Sequence, residues 1–272
     1  MKICTAFKLI FLSGIILLLL QITSCRKKDH EFYPKPSSSR TLEVWLHRVD
    51  NIDKAQHFQY SYTGFELDVH FDTAIGTFMV KHDFEDTTHL LFTTWLSSLD
   101  DPGRLGLWLD FKNLSMDMRF AAQKELIRIR NEFNLKRHPI VVECCNPDCL
   151  APFDTLNFRP SFYLPTFDPD TLTEAEEQSY KNWISSYISK DHIQTISAYY
   201  FQHSFMKNWY PSLNKLVWYL DSTDPVVKDS IISQARKDTT IEVMLVAEDY
   251  TGTLKLSPQE VMNSSTKRKL IK

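Results

Sequence analysis

The sequence predicts an α/β protein whose residues 41–272 form one domain, a (β/α)8 TIM barrel. Three observations carry that expectation. Eight short runs rich in Val, Ile, Phe, Tyr and Trp recur along the chain, and helical patterns fall between them. Those runs are mostly continuous in hydrophobicity, as expected of parallel strands buried on both faces. Histidines and carboxylates cluster at the carboxyl ends of the runs, where a barrel of this kind keeps its chemistry. A doubly wound open sheet is the alternative architecture.

Met1 to Cys25 reads as a targeting segment outside the fold. Lys2 and Lys8 supply a weak positive start, Leu9 to Leu20 is apolar, and Ile22-Thr23-Ser24-Cys25 resembles a bacterial lipobox. An apolar run of roughly a dozen residues is short for a bilayer span, which needs about 20. Cleavage before Cys25 and lipidation of its thiol is therefore the expectation, with the protein held at the bacterial cell envelope, periplasmic or surface-exposed. Residues 26–40, with RKKDH followed by PKPSSSR, form a polar tether without apolar periodicity.

The strand-like runs are Val44 to Arg48, Phe65 to Val69, Leu105 to Phe111, Pro139 to Glu143, Ser161 to Phe167, Thr195 to Phe201, Lys215 to Asp221 and Thr240 to Ala247. Helical patterns occupy Asp53 to Phe58, Thr93 to Leu99, Met118 to Phe133, Thr173 to Ser189, Ser204 to Tyr210 and Pro225 to Arg236. Thr173-Glu174-Ala175-Glu176 has the form of a capping box, and Asp224-Pro225 that of a cap followed by proline at the first helical position.

Composition narrows the function. The net charge of -3 gives no basic footprint for nucleic acid, and only 6 glycines leave no phosphate-cradling loop or dinucleotide fingerprint. The chemistry concentrates in Gly64 to Asp83, GFELDVHFDTAIGTFMVKHD. Alternation along its first strand puts Glu66 and Asp68 on one face, where both can meet one hard cation. A turn at Ile75-Gly76 then brings a second short strand back, ending in His82-Asp83. His47-Arg48 ends an earlier run, and Asp110-Phe111-Lys112 ends a later one. So many carboxylates at one mouth would repel each other unless a cation or basic side chains balanced them. Glu143, Asp221 and Glu248, also near strand ends, are weaker candidates.

His47-Arg48, Gly64-Phe65-Glu66-Leu67-Asp68-Val69 and Val80-Lys81-His82-Asp83 together resemble the signature of the glycerophosphodiester phosphodiesterase superfamily. Trp45-Leu46-His47 with Asn51, Glu66-Leu67-Asp68, His82, Trp95-Leu96 and Leu109-Asp110-Phe111-Lys112 resemble more closely its menorin branch. The resemblance is specific from Val44 to Asn113. It implies that His47 and His82 act as general acid and base, that Glu66, Asp68 and Asp110 hold a divalent cation, and that Lys112 and Arg48 face the phosphate. Val49 stands where those enzymes have Gly, and the Glu-Asn pair that usually follows some residues later is not recognisable.

The residue types suit that reaction on chemical grounds as well. A phosphodiester resists attack because it is anionic, so its site needs positive charge, a base and an acid. Oxygen-only ligation favours Mg²⁺ or Ca²⁺ over Zn²⁺. The expected function is a membrane-tethered, metal-dependent phosphodiesterase acting on a phosphodiester small molecule or a lipid head group, by attack of water or of the substrate's own hydroxyl. A catalytically inactive barrel that binds a ligand or serves as a scaffold is the alternative. Glycoside hydrolysis by a carboxylate pair is a third reading, which leaves both histidines unexplained. His70 reads as structural or supporting. Among Cys144, Cys145 and Cys149, a disulfide from Cys149 to one of the other two is expected in an exported protein. Trp218 and Tyr219 are candidates to line an apolar mouth.

Overall fold

A computed structural model describes residues 41–83, 89–154, 158–191 and 193–250 of the chain. The targeting segment, Cys25 and the tether lie outside the described residues. In chain order the elements are β1 (Glu43–Leu46), α1 (Ile52–Phe58), β2 (Gly64–Asp72), β3 (Thr77–Val80), α2 (Phe92–Ser97), β4 (Gly106–Phe111), α3 (Arg119–Glu132), β5 (Ile140–Cys144), β6 (Phe158–Tyr163), α4 (Glu174–Asp191), β7 (Thr195–Tyr199), α5 (His203–Trp209), β8 (Asn214–Tyr219), α6 (Pro225–Ala235) and β9 (Ile241–Val246).

Eight of these strands close into a parallel barrel. The order β1-β9-β8-β7-β6-β5-β4-β2 returns to β1 through the pair Leu46 and Phe65, confirming the (β/α)8 barrel against the open sheet. β3 is the extra strand: it runs antiparallel to the far end of β2, which outlasts its barrel neighbours and turns back at Gly76 with φ +69°. Two short 3₁₀ turns, Pro147–Cys149 and Ala151–Phe153, connect β5 to β6 in place of a helix. Among the described residues no helix is long and apolar enough to cross a membrane.

Period-two alternation sorts the side chains into two cores. Leu46, Phe65, Leu67, Val69, Leu107, Leu109 and Val142 point outward and pack beneath the helices in one cluster. Trp45, Trp108, Val141, Leu216, Trp218, Val243 and Leu245 point inward and fill the barrel. The Trp45 indole crosses Gly64 and Gly106 so closely that a Cβ on either would stand 2.3 or 2.1 Å from it. Both positions need glycine because a ring occupies the side-chain space. Above this plug, the next inward positions of the first barrel strands carry the polar groups of the site.

The expected elements differ from the observed ones mainly at β6, which begins at Phe158 rather than Ser161 and includes Pro160. Proline is tolerated there because β7 joins β6 only at Phe162 and Tyr163, leaving no ladder bond for the missing N–H to make on that side. The expected disulfide is absent, and Cys144, Cys145 and Cys149 are all free thiols. Cys144 is buried and donates to the Asn146 carbonyl at 3.0 Å, whereas Cys145 is exposed. Burial raises the thiol pKa of both Cys144 and Cys149.

Candidate active site

The cleft at the carboxyl ends of the strands has a volume of about 350 Å³, and its lining includes His47, Arg48, Glu66, Asp68, His82, Asp110 and Lys112. All seven residues singled out from sequence for catalysis and metal binding therefore meet in one place. Glu143 joins them, with Tyr163, Trp218, Leu220 and Leu245 as an apolar wall. Tyr219 points the other way, onto the outer core.

Glu66 and Asp68 are inward residues of β2, and Asp110 lies directly beside Asp68 in the register of β4. One oxygen from each of Glu66, Asp68 and Asp110 falls within 4.8 Å of the others. Asp68 Oδ2 is buried without a hydrogen-bond partner among the described residues, although Arg48 Nε approaches it at 3.6 Å. Desolvation by burial, together with the charges of Asp68, Asp50 and Asp110, pushes the Glu66 carboxyl well above its usual pKa. Burial likewise raises Asp110, against the pull of Lys112. Hard oxygen donors, mutual repulsion and an unpartnered buried oxygen together suit an oxygen-liganded divalent cation.

His47 follows β1 and faces inward, its Nε2 3.5 Å from Glu66 Oε2. Burial is the largest influence on it, and Arg48, Lys54 and Lys112 add to it, so the imidazole pKa falls to about 4 despite Asp68. The ring is neutral at ordinary pH and free to accept a proton. The loop that carries it is heavily restrained. Arg48 holds a left-handed φ of 53°, a strained conformation for a side-chain-bearing residue. Its backbone N–H donates to Glu66 Oε2 at 2.7 Å, and Lys54 Nζ donates to the carbonyls of both His47 and Arg48 at 2.9 Å. The Trp95 indole donates to the Val49 carbonyl at 2.9 Å, and Asn51 caps α1 through its bond from Lys54 N. The motif residues Asn51 and Trp95 thus help hold the loop on which His47 stands.

His82 follows β3, beyond the barrel wall. Its Nδ1 lies 2.7 Å from Asp83 Oδ1, which leaves Nε2 for the cleft. His70, inward on β2 and buried, donates from Nε2 to the His82 carbonyl at 3.2 Å and so props that segment, in line with its expected supporting part. Lys112 Nζ sits 2.8 Å from Asp68 Oδ1 and also binds the Asp110 carboxylate.

Sequence reading missed Asp50. Its Oδ1 accepts from Asp68 N at 2.9 Å, and burial plus the Asp68 charge raise its pKa to about 7. Its place in the stretch HRVDN, between a motif pair and a helix cap, was the available signal. Glu143 aligns with Asp110 across β4 and β5, is buried, and carries an Oε2 without a hydrogen-bond partner among the described residues. Burial and the nearby Asp110 raise its pKa to about 8. Glu248 instead pairs with Lys228 at 2.7 Å and accepts from the Tyr62 hydroxyl. Asp249 accepts from Thr223 at 2.8 Å, and Asp221 is exposed outside the cleft lining.

No protein-family model and no curated protein matches the sequence. Solved structures do match in shape. A glycerophosphodiester phosphodiesterase from Parabacteroides distasonis superposes with a TM-score of 0.54 at 15% identity, covering 85% of this chain and 100% of that one. A phosphodiesterase from Oleispira antarctica, in complex with the product sn-glycerol-3-phosphate, gives 0.53 at 11% identity, covering 76% of this chain and 93% of that one. The barrel of this chain is similar in fold to the barrels of glycerophosphodiester phosphodiesterases.

Proposed function

We propose that this protein is a metal-dependent phosphodiesterase whose substrate is a glycerol- or lipid-derived phosphodiester, closest in its motifs to the menorin branch. The observation that carries the proposal is the meeting of two histidines, three carboxylates and Lys112 in one cleft of a barrel shaped like those of phosphodiesterases. Glu66, Asp68 and Asp110 would hold Mg²⁺ or Ca²⁺, which when bound supplies positive charge against the phosphate.

The chain's own residues supply the rest. Neutral His47 takes the proton from the attacking hydroxyl, which belongs to water or to the substrate itself. His82, oriented by Asp83, delivers a proton to the departing alkoxide. Lys112 and Arg48 present fixed positive charge to the phosphate oxygens. The apolar wall of Tyr163, Trp218, Leu220 and Leu245 excludes water beside the alcohol portion. In this reading Cys25 is lipidated and ties the protein to the bacterial cell envelope, periplasmic or surface-exposed.

One observation favours a second reading, a non-catalytic barrel that binds a ligand. Lys112 bridges Asp68 and Asp110, and Arg48 flanks Asp68, which partly neutralises the acidic cluster without an ion. Hydrolysis of bis(p-nitrophenyl) phosphate, scanned over Mg²⁺, Ca²⁺ and Mn²⁺ with His82→Ala as control, separates the two. Metal-dependent turnover lost in the control supports the enzyme. Neither turnover nor metal binding leaves the binding barrel.

A further inference from the structure

The large apolar side chains left on the surface are unevenly distributed. In a parallel barrel every strand-to-helix connection lies at the mouth and every helix-to-strand connection at the opposite end. Ile75 tips the β2–β3 turn, Met116 and Phe120 follow β4, Phe201 follows β7, and Val226 and Val227 follow β8, so all six sit at the mouth. Ile75 is 59%, Phe120 62% and Val226 77% exposed.

The opposite end differs. Tyr60 and Trp209 are its exposed large side chains among the described residues, and both are engaged with polar neighbours. Tyr60 donates to Asp100 at 2.5 Å and lies beneath Arg104, while Trp209 donates to Glu177 at 2.7 Å and lies beneath Lys181. Trp183, the remaining one, is on the flank in α4. At the mouth Arg119 lies over Phe120 and donates to the Met116 sulfur, while Ile75, Phe201, Val226 and Val227 have no such polar cover among the described residues.

A single exposed apolar side chain is ordinary, but a set gathered around one opening marks an interaction surface. We infer that the barrel mouth docks on a lipid bilayer, with these six side chains entering the interfacial layer around the cleft. The sequence outside the described residues supports this occupant: an apolar segment and Cys25 precede the fold by a polar stretch of residues 26–40. Fully extended at about 3.3–3.6 Å per residue, that stretch spans roughly 50 Å, enough to let either end of a barrel meet the membrane. Charge points to the lipid class. Asp83, Asp117, Asp221, Asp224 and Asp249 are exposed at the mouth, against exposed Arg48 and Lys112 and half-buried Lys81 and Arg119. Docking is therefore driven by apolar insertion into a zwitterionic surface rather than by attraction to anionic head groups.

This inference deepens the proposed function, since it selects a membrane lipid as the phosphodiester, yet its test needs no turnover. The full-length chain is mixed with excess phosphatidylcholine vesicles and labelled by hydroxyl radicals, and modification is read residue by residue by mass spectrometry. Labelling of Met116, Phe120 and Phe201 is expected to fall severalfold, with Tyr60 and Trp209 unchanged. Phosphatidylglycerol vesicles should give no greater protection. In a Met116→Ser, Phe120→Ser double variant the protection at Phe201 should weaken. Unchanged labelling at the mouth, or equal protection at both ends, overturns the inference. Protection with anionic vesicles alone overturns the lipid class.

Discussion

Lys112 Nζ lies 2.8 Å from Asp68 Oδ1 while also bonding the Asp110 carboxylate, so a single ammonium joins two of the three candidate metal ligands. A divalent cation held by this cluster would compete with the ammonium charge for the same oxygens. Adding Mg²⁺ or Ca²⁺ should raise the melting temperature in calorimetry. At a hundred times Kd the bound ion contributes about 2.7 kcal/mol. The double substitution Glu66→Gln, Asp68→Asn should abolish that shift, and a wild-type protein indifferent to both ions would favour the binding barrel.

Lys112→Met separates the lysine's two parts. Turnover should fall by about 10²- to 10³-fold if Lys112 faces the phosphate in the transition state. Metal affinity, measured by titration calorimetry, should be retained or improved, because the ion no longer shares its oxygens. A loss of metal affinity parallel to the loss of rate would instead make the lysine part of the ion's support.

The histidines should behave unequally with pH. In the proposed mechanism His47 is the base, a part it can play only when unprotonated, and its pKa is lowered to about 4, chiefly by burial. The rate should therefore hold through pH 6 and fall only as pH drops towards 4, below the limb an ordinary imidazole would give. His47→Ala and His82→Ala should each reduce kcat/KM by about 10²- to 10⁴-fold. Only the first should remove the acidic limb of the pH profile.

Acid stability has a source far from the cleft. Asp238 accepts from Thr240 N at 2.8 Å, from Thr240 Oγ1 at 2.6 Å and from His203 Nε2 at 2.8 Å. Burial opposes its ionisation, but these hydrogen bonds outweigh it and lower the pKa from 3.8 to about 2. A carboxylate with a depressed folded pKa stabilises the protein above its unfolded pKa, and that contribution is lost as pH falls from about 4 through 2. Asp238→Asn should lower stability near neutral pH and flatten the decline across that window, as followed by urea unfolding at a series of pH values.

Gly106→Ala tests the packing beneath the site. The new methyl would stand 2.1 Å from the Trp45 ring, which has the barrel interior around it and nowhere to move. Overpacking of this kind costs about 1–3 kcal/mol. Urea unfolding should register that loss, and Gly76→Ala, with nothing within 4 Å but a φ of +69°, should show strain without a clash.

Much of this was legible in the sequence because β-strand alternation and strand ends are local signals. Glu66 and Asp68 share a face by spacing alone, and the structure puts them beside Asp110. Continuous apolar runs such as Val141-Val142 announced strands covered on both faces. Long-range partners were less readable. Nothing local says that Lys112 bonds Asp68 rather than standing free, or that Asp50 reaches Asp68 N, since both depend on how β1, β2 and β4 lie together. Glu248 looked like a site carboxylate from its place at a strand end. It is spent on Lys228 and Tyr62, partners that become neighbours only when the barrel closes. Pro160 hid the start of β6 because a ladder with an unused position cannot be recognised without its neighbour.

β2 continues beyond the barrel to pair with β3, and His82 follows that hairpin, whereas His47 follows β1 within the closed ring. The two imidazoles therefore belong to parts of the molecule with different resistance to heat. A peripheral hairpin opens at lower free energy than a closed barrel. Warming should therefore separate the pair while the ring is still intact, so that any activity of the site is lost before global unfolding and returns on cooling. The temperature at which the site fails should then depend on the hold on β3, through its pairing with β2 and the bridge from Met79 to Leu91, rather than on the closed ring.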